Sequence, residues 1–150
     1  VTTLLAACGG FLLAVLWMDL MFDVQVWRDR DGGPAARDAA VASIAAYYRR
    51  VTTDAFPLNR LIGVVMAVAV AGTIRQALGA TAGHGRALVA LALCGLPIAL
   101  AALRVVPAAV RLGARRDAIA VQHDLARAIL RDHVLCFIAI AAFTAIELSW

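Results

Sequence analysis

The sequence contains no lysine: all 14 of its Lys-plus-Arg residues are arginine. Charged residues of every kind make up only 16% of the chain, and serine occurs only at Ser43 and Ser149. Soluble domains carry about a quarter charged residues, so this shortage argues against an ordinary water-solvated surface. Catalytic and phosphate-binding signatures are missing as well. No G-x-S-x-G, H-E-x-x-H, Walker loop or dinucleotide fingerprint occurs, and the glycine-rich GATAGHG stretch at 79–85 lacks the Walker spacing and its Lys-Ser/Thr ending. The cysteines Cys8, Cys94 and Cys136 lie in three different apolar runs with no C-x-x-C spacing, so they read as small packing residues. No metal site and no cofactor is expected.

What the chain has instead is apolar residues, 63% of 150, with a mean hydropathy of +0.85. That balance indicates a solvent of lipid. The net charge of +4 would also suit nucleic acid. The arginines, however, cluster between apolar runs, which membrane topology explains without a nucleic-acid partner. Abundant alanine and the exclusive use of arginine suggest a GC-rich bacterial genome.

Four apolar segments define the expected fold. The run LLAACGGFLLAVLWM at 4–18 continues in helical pattern through Asp19 and Asp23 to about Trp27, long enough at about 1.5 Å per residue to cross a hydrocarbon layer about 30 Å thick. It has no basic leader and no small-residue cleavage site before Asp19, so it is expected to stay as a helix rather than be removed as a signal peptide. Spans are expected at about 3–26, 58–78, 87–106 and 132–150, within one domain of residues 1–150. In the first, Ala6, Gly10 and Ala14 recur beside Gly9 as a small-residue surface that another helix can approach.

The break RDRDGG at 28–33 is followed by Pro34, which suits a first helical turn. From there to about Thr53, apolar Ala40, Ile44, Tyr47, Tyr48 and Val51 recur among Arg37, Asp38, Arg49 and Arg50. This predicts an amphipathic helix at the membrane surface. Residues 108–133 predict a second amphipathic or helix-extending segment, with one helix continuous from about 117, and Pro97 predicts a kink in the third span. The fold class is therefore all-α: an integral membrane four-helix bundle with amphipathic cytoplasmic connections after helices 1 and 3.

Arginine placement sets the expected topology. Arg28, Arg30, Arg37, Arg49, Arg50 and Arg60 flank the first connection, and Arg104, Arg111, Arg115, Arg116, Arg127 and Arg131 the third, against only Arg75 and Arg86 at the second. By the positive-inside rule the chain is a multi-pass protein of the bacterial plasma membrane with both termini on the outer side. His84 then lies outside and His123 and His133 inside, which argues against a haem held between two histidines and leaves a single axial His133 for an absorption spectrum to test.

Asp19, Asp23, Arg60, Arg104 and His133 fall at similar depth on the four helices and form the candidate ligand-binding or proton site. A carboxylate near hydrocarbon is costly unless paired, solvated or protonated. Asp19 is the deepest acid, with Arg60 or Arg104 as its expected partner, whereas Asp23 can reach the interface. Snorkelling and structural ion pairs are the bland account of the whole set. On the outer side Glu147 is expected to face Arg75 or Arg86, or simply to be solvated. No E-x-x-H pair of the kind carboxylate-bridged metal bundles use is present.

The acid-ended first span WMDLMFD, the segment AAYYRRV with Pro57 a few residues on, and the basic stretch before the last span resemble the layout of small four-helix bacterial membrane proteins of the anthrone-oxygenase-like family. The resemblance implies a cavity suited to a hydrophobic, aromatic molecule, with cofactor-independent oxygenation as an activity. Three functions follow for testing. The first is an accessory subunit, or a binder of a lipid or lipophilic molecule, with the bilayer, other membrane subunits or a second copy as partners. The second is a cofactor-independent oxygenase acting on a hydrophobic aromatic substrate. The third is a proton or ion conductor.

Overall fold

The computed structural model of the chain describes residues 1–28, 33–80 and 83–149, the side chains of Arg28 and Leu58 apart. Most of the RDRDGG break and the centre of the GATAGHG connection lie outside the described residues. The architecture is all-α. Helix α1 (Thr2–Asp23) runs on into the short α2 (Gln25–Arg28), and α3 (Pro34–Arg49) ends in a π turn, Arg50–Asp54. Then come α4 (Leu58–Gly79), α5 (His84–Leu100), a second π turn, Ala101–Val105, α6 (Val106–Ala114) and α7 (Ile119–Leu148). Four helical stretches are long and apolar enough to cross a membrane: Thr2–Trp27, Asn59–Gly79, His84–Ala114 and Ile119–Leu148.

These four stretches pack in a ring, α1 against α7 and α4, and α5 against α7 and α4. Gly9 permits the closest approach. A Cβ there would collide with Thr144 Oγ1 of α7 and lie 3.3 Å from Thr144 Cβ and 3.4 Å from Phe143 Cε1. Gly10 faces open space, with nothing within 4 Å of such a Cβ. Of the small-residue surface expected from Gly9 and Gly10 with Ala6 and Ala14, the neighbouring helix sits against Gly9 and not against Gly10. Adjacent residues lie about 100° apart on a helix, so a one-residue difference selects another face.

Two core clusters stabilise the fold. At one end Leu5, Cys8, Ala69, Ala90, Cys94 and Phe143 interlock. At the other, Val41, Ile44, Ala45 and Tyr48 of α3 pack with Val105, Ala109 and Leu112 and with Ala126, Ile129 and Leu130 of α7. This second cluster corrects the surface placement of α3. Its apolar face is buried against protein, because α6 and α7 offer it a wall. An amphipathic pattern reads the same whether its partner is a headgroup layer or another helix. The segment at 108–133, expected to be amphipathic or helix-extending, extends the helices on either side and leaves only 115–118 as a turn, with α7 starting at Ile119. Arg111 clasps that turn through Asp117, at 2.7 and 2.9 Å, and Arg115 reaches Asp38 of α3 at 3.2 Å.

Neither proline ends the third long helix. It runs through Pro97 to Ala114, and between Pro97 and Pro107 lies the π turn in which Val106 N–H bonds Ala101 O, five residues back. A π turn accommodates an extra residue where the regular ladder is interrupted, and such turns often occur at functional sites. The other π turn, closed by Ala55 N–H to Arg50 O at 2.9 Å, precedes Pro57 in the same way.

Candidate functional site

The last turn of α1 presents Asp19 and Asp23 one turn apart, so both carboxyls lie on one face. The C-terminal turn of α3 presents Tyr47 and Tyr48, and α7 brings His133 between them. Asp23 is fully buried. Its Oδ1 accepts the Tyr48 hydroxyl at 2.6 Å, and its Oδ2 lies 2.7 Å from His133 Nδ1. Tyr48 Oη is also 3.3 Å from that nitrogen. Because the Tyr48 proton is committed to Asp23, the geometry has His133 Nδ1–H donating to Asp23 Oδ2 and leaves Nε2 on the opposite edge of the ring.

Asp19 is held differently. Its Oδ1 accepts the Tyr47 hydroxyl at 2.8 Å, and its Oδ2 stands 3.8 Å from His133 Nε2. That separation is too long for a direct hydrogen bond, so each atom keeps an unused bonding site. The Tyr47 ring is fixed by stacking on Phe22, with centroids 4.0 Å apart and planes 9° from parallel. Burial pushes both phenols well above their ordinary 10, and the nearby carboxylates, Asp19 for Tyr47 and Asp23 for Tyr48, push them further. Both hydroxyls are therefore donors at neutral pH.

Asp19, Tyr47, Tyr48 and His133 form the polar end of a cavity of about 330 Å³. Its walls are Leu12, Val15 and Leu16 of α1, Ile62, Gly63 and Met66 of α4, Pro97 and Ile98 of α5, and Cys136 and Ile140 of α7. Val51 and Thr52 of one π turn and Ala101 and Val105 of the other complete it. The Cys136 thiol donates to Pro97 O at 3.6 Å, tying two of the walls together. Asn59 also lines the cavity; its Nδ2 donates to Thr52 O at 3.1 Å, and its Oδ1 is buried without a hydrogen-bond partner.

Of the five sequence candidates, the structure brings together Asp19, Asp23 and His133 and sends the arginines elsewhere. Arg104 pairs with buried Asp132 at 3.3 Å, and Arg60 lies 4.8 Å over the Phe56 ring. The expected Asp19–Arg60 or Asp19–Arg104 pair does not form, because α3 occupies that end of the bundle and supplies the phenols instead. Asp23, expected to reach the interface, is the most enclosed member of the cluster for the same reason. Tyr47, Tyr48, Asn59 and Asp132 are missed by sequence reasoning. An adjacent tyrosine pair on an amphipathic helix is the one signal that points to any of them.

Glu147 is buried at the far end of α7. Its carboxylate accepts from Gln76 Nε2 at 3.3 Å, and of the two expected arginines Arg86 is near enough to act on it electrostatically. Arg86 donates to Ile146 O at 2.9 Å and to Ser149 Oγ, and Arg75 is exposed. Among the described residues no group of three His, Cys, Asp or Glu side chains is placed to hold a metal ion.

Fold and site together define an all-α chain with four long apolar helices around a carboxylate–imidazole–phenol cluster. No protein-family model matches it, and neither does any curated protein or solved structure.

Proposed function

We propose that this chain is a multi-pass protein of the bacterial plasma membrane that binds a lipophilic small molecule between its helices. Support for a lipid environment comes from large apolar side chains left exposed along the long helices, including Leu61, Val64, Leu88, Leu96, Leu135 and Ile138. On a water-facing surface so many would mark an aggregation hazard. The arginine count supports a cytoplasmic cluster with both termini outside. The exposed apolar faces also suit other membrane subunits or a second copy, the accessory-subunit form of this proposal.

The observation that carries the binding function is the cavity itself. At about 330 Å³ it lies at the lower end of the range for small-molecule sites, and it pairs apolar walls with a few convergent polar groups. Native mass spectrometry of the full chain released from mild detergent tests it. A small-molecule adduct is expected on the unaltered chain and should be lost from Met66→Trp, which fills a wall position. A wild-type protein without adduct that also ignores added lipophilic probes would refute the proposal.

A second function has one observation in its favour. Asp23 orients His133, leaving Nε2 beside a substrate-sized cavity, the arrangement a general base requires. The resemblance in layout to the anthrone-oxygenase-like family supports the same chemistry. Oxygen uptake with a hydrophobic phenolic substrate, abolished in His133→Ala, is the expected result for an oxygenase. Ion conduction has less support. The interlocked apolar cluster of Leu5, Cys8, Ala69, Ala90, Cys94 and Phe143 lies between the Asp19 end and Glu147.

A further inference from the structure

We infer that the molecule taken by this cavity is a lipophilic amine, bound as its ammonium, an inference that rests on the binding function proposed above. The polar atoms left open at the cavity are acceptors. Among the described residues Asp19 Oδ2 accepts no hydrogen bond, and His133 Nε2 stands 3.8 Å from it. Asn59, which also lines the cavity, spends Nδ2 on Thr52 O. With Nδ1–H given to Asp23, His133 keeps Nε2, which is an acceptor when the ring is neutral. The donors are spent: Tyr47 on Asp19, Tyr48 on Asp23 and the Thr52 hydroxyl on Tyr48 O.

Charge points the same way. Two carboxylates face one imidazole, so even a protonated His133 leaves the cluster one negative charge in excess. Among the described residues no arginine lines the cavity, and the chain has no lysine. An ammonium head supplies both the missing donors and the missing charge, and the Tyr47 and Tyr48 rings beside it favour a cation further. A fatty acid or another anionic head would bring a carboxylate or phosphate to acceptors alone, at a cost no neighbour offsets.

Calorimetric titration of the full chain in mild non-ionic detergent with decylamine, decanol and decanoate tests this at constant chain length. Decylamine is expected to bind at least tenfold more tightly than decanol, and decanoate not at all. Asp19→Asn keeps the shape and the bond from Tyr47. It should cost decylamine tenfold or more while leaving decanol affinity unchanged, which also cancels any effect of amine entering the micelle. Equal binding of decanol or decanoate, or decylamine affinity indifferent to Asp19→Asn, would overturn the amine inference and leave the cavity proposal standing. Failure of all three probes would remove both. The probe ranking is read on the unaltered chain and so does not depend on the variant folding.

Discussion

Tyr48→Phe removes one oxygen from the cluster and should destabilise the protein far more than the same change at Tyr47. The Tyr48 hydroxyl serves Asp23 at 2.6 Å, and Asp23 is 0% exposed, so no water can replace the lost donor. Hydrogen bonds to charged groups contribute about 1.5–3 kcal/mol, and a buried acceptor left unmet forfeits the full amount. The Tyr47 hydroxyl serves Asp19 at 2.8 Å, but Asp19 lines the cavity, where a water can take over. Its loss should cost about 0.5–1 kcal/mol. For a chain of this size about 2–4 °C of melting temperature corresponds to 1 kcal/mol. Tyr48→Phe should therefore lower the midpoint by roughly 3–12 °C and Tyr47→Phe by no more than about 4 °C. Thermal unfolding of both variants in the same mild detergent measures the difference. Pairing Tyr48→Phe with Asp23→Asn should reveal a coupling of about 0.5–3 kcal/mol, the sign of one hydrogen-bonded unit. Equal shifts for the two single variants, or a larger one for Tyr47→Phe, would refute the account of Asp23 as a sealed carboxylate.

Two further expectations follow. Tyr47 and Tyr48 are the only two tyrosines in the chain, so an ultraviolet titration reports on this cluster alone. Both phenols are raised above 10 by burial, so the folded protein should show no tyrosinate as pH passes that value. Because the unfolded chain ionises there first, stability contributed by the neutral phenols is complete below 10 and is lost as pH climbs beyond it. Tyrosinate should thus appear together with loss of helical circular dichroism; a normal titration with the helices intact would contradict the burial. At the α1–α7 contact, Gly9→Ala should cost about 1–3 kcal/mol through overpacking. Gly10→Ala, which meets nothing within 4 Å, should be neutral or slightly stabilising by helix propensity, up to about 1 kcal/mol. Thermal melting of the two variants distinguishes them, and the reverse order would mean that α1 presents a different face to α7.

Much of the helical layout is legible in the sequence because hydropathy is a local property. A run such as LLAACGGFLLAVLWM declares its length and solvent preference without reference to the rest of the chain, and α7 can be seen to continue through its charged first half because its periodicity never breaks. Legibility stops at α3. Its stripe of Ala40, Ile44, Tyr48 and Val51 says only that one face is apolar, and nothing local says whether lipid or α6 and α7 will cover it. Once α3 is taken for a surface helix, its tyrosines leave the list of polar partners and the arginines fill the gap.

The acids and His133 are conspicuous in the sequence as ionisable groups at the ends of apolar runs, and the cost of leaving them unpaired follows from chemistry alone. Their partners do not. The bonds from Tyr48 to Asp23 and from His133 to Asp23 join residues 25 and 110 positions apart, and composition carries no record of which distant helix will arrive at a given depth. Residue type and periodicity therefore determine four long apolar helices, an arginine-rich end and a need for partners at Asp19 and Asp23. Tertiary packing alone decides that α3 folds under the bundle, that phenols rather than guanidiniums meet those carboxylates, and that a cavity remains beside them. The first set depends on each segment's own preference for lipid or water; the second depends on how helix surfaces fit against one another.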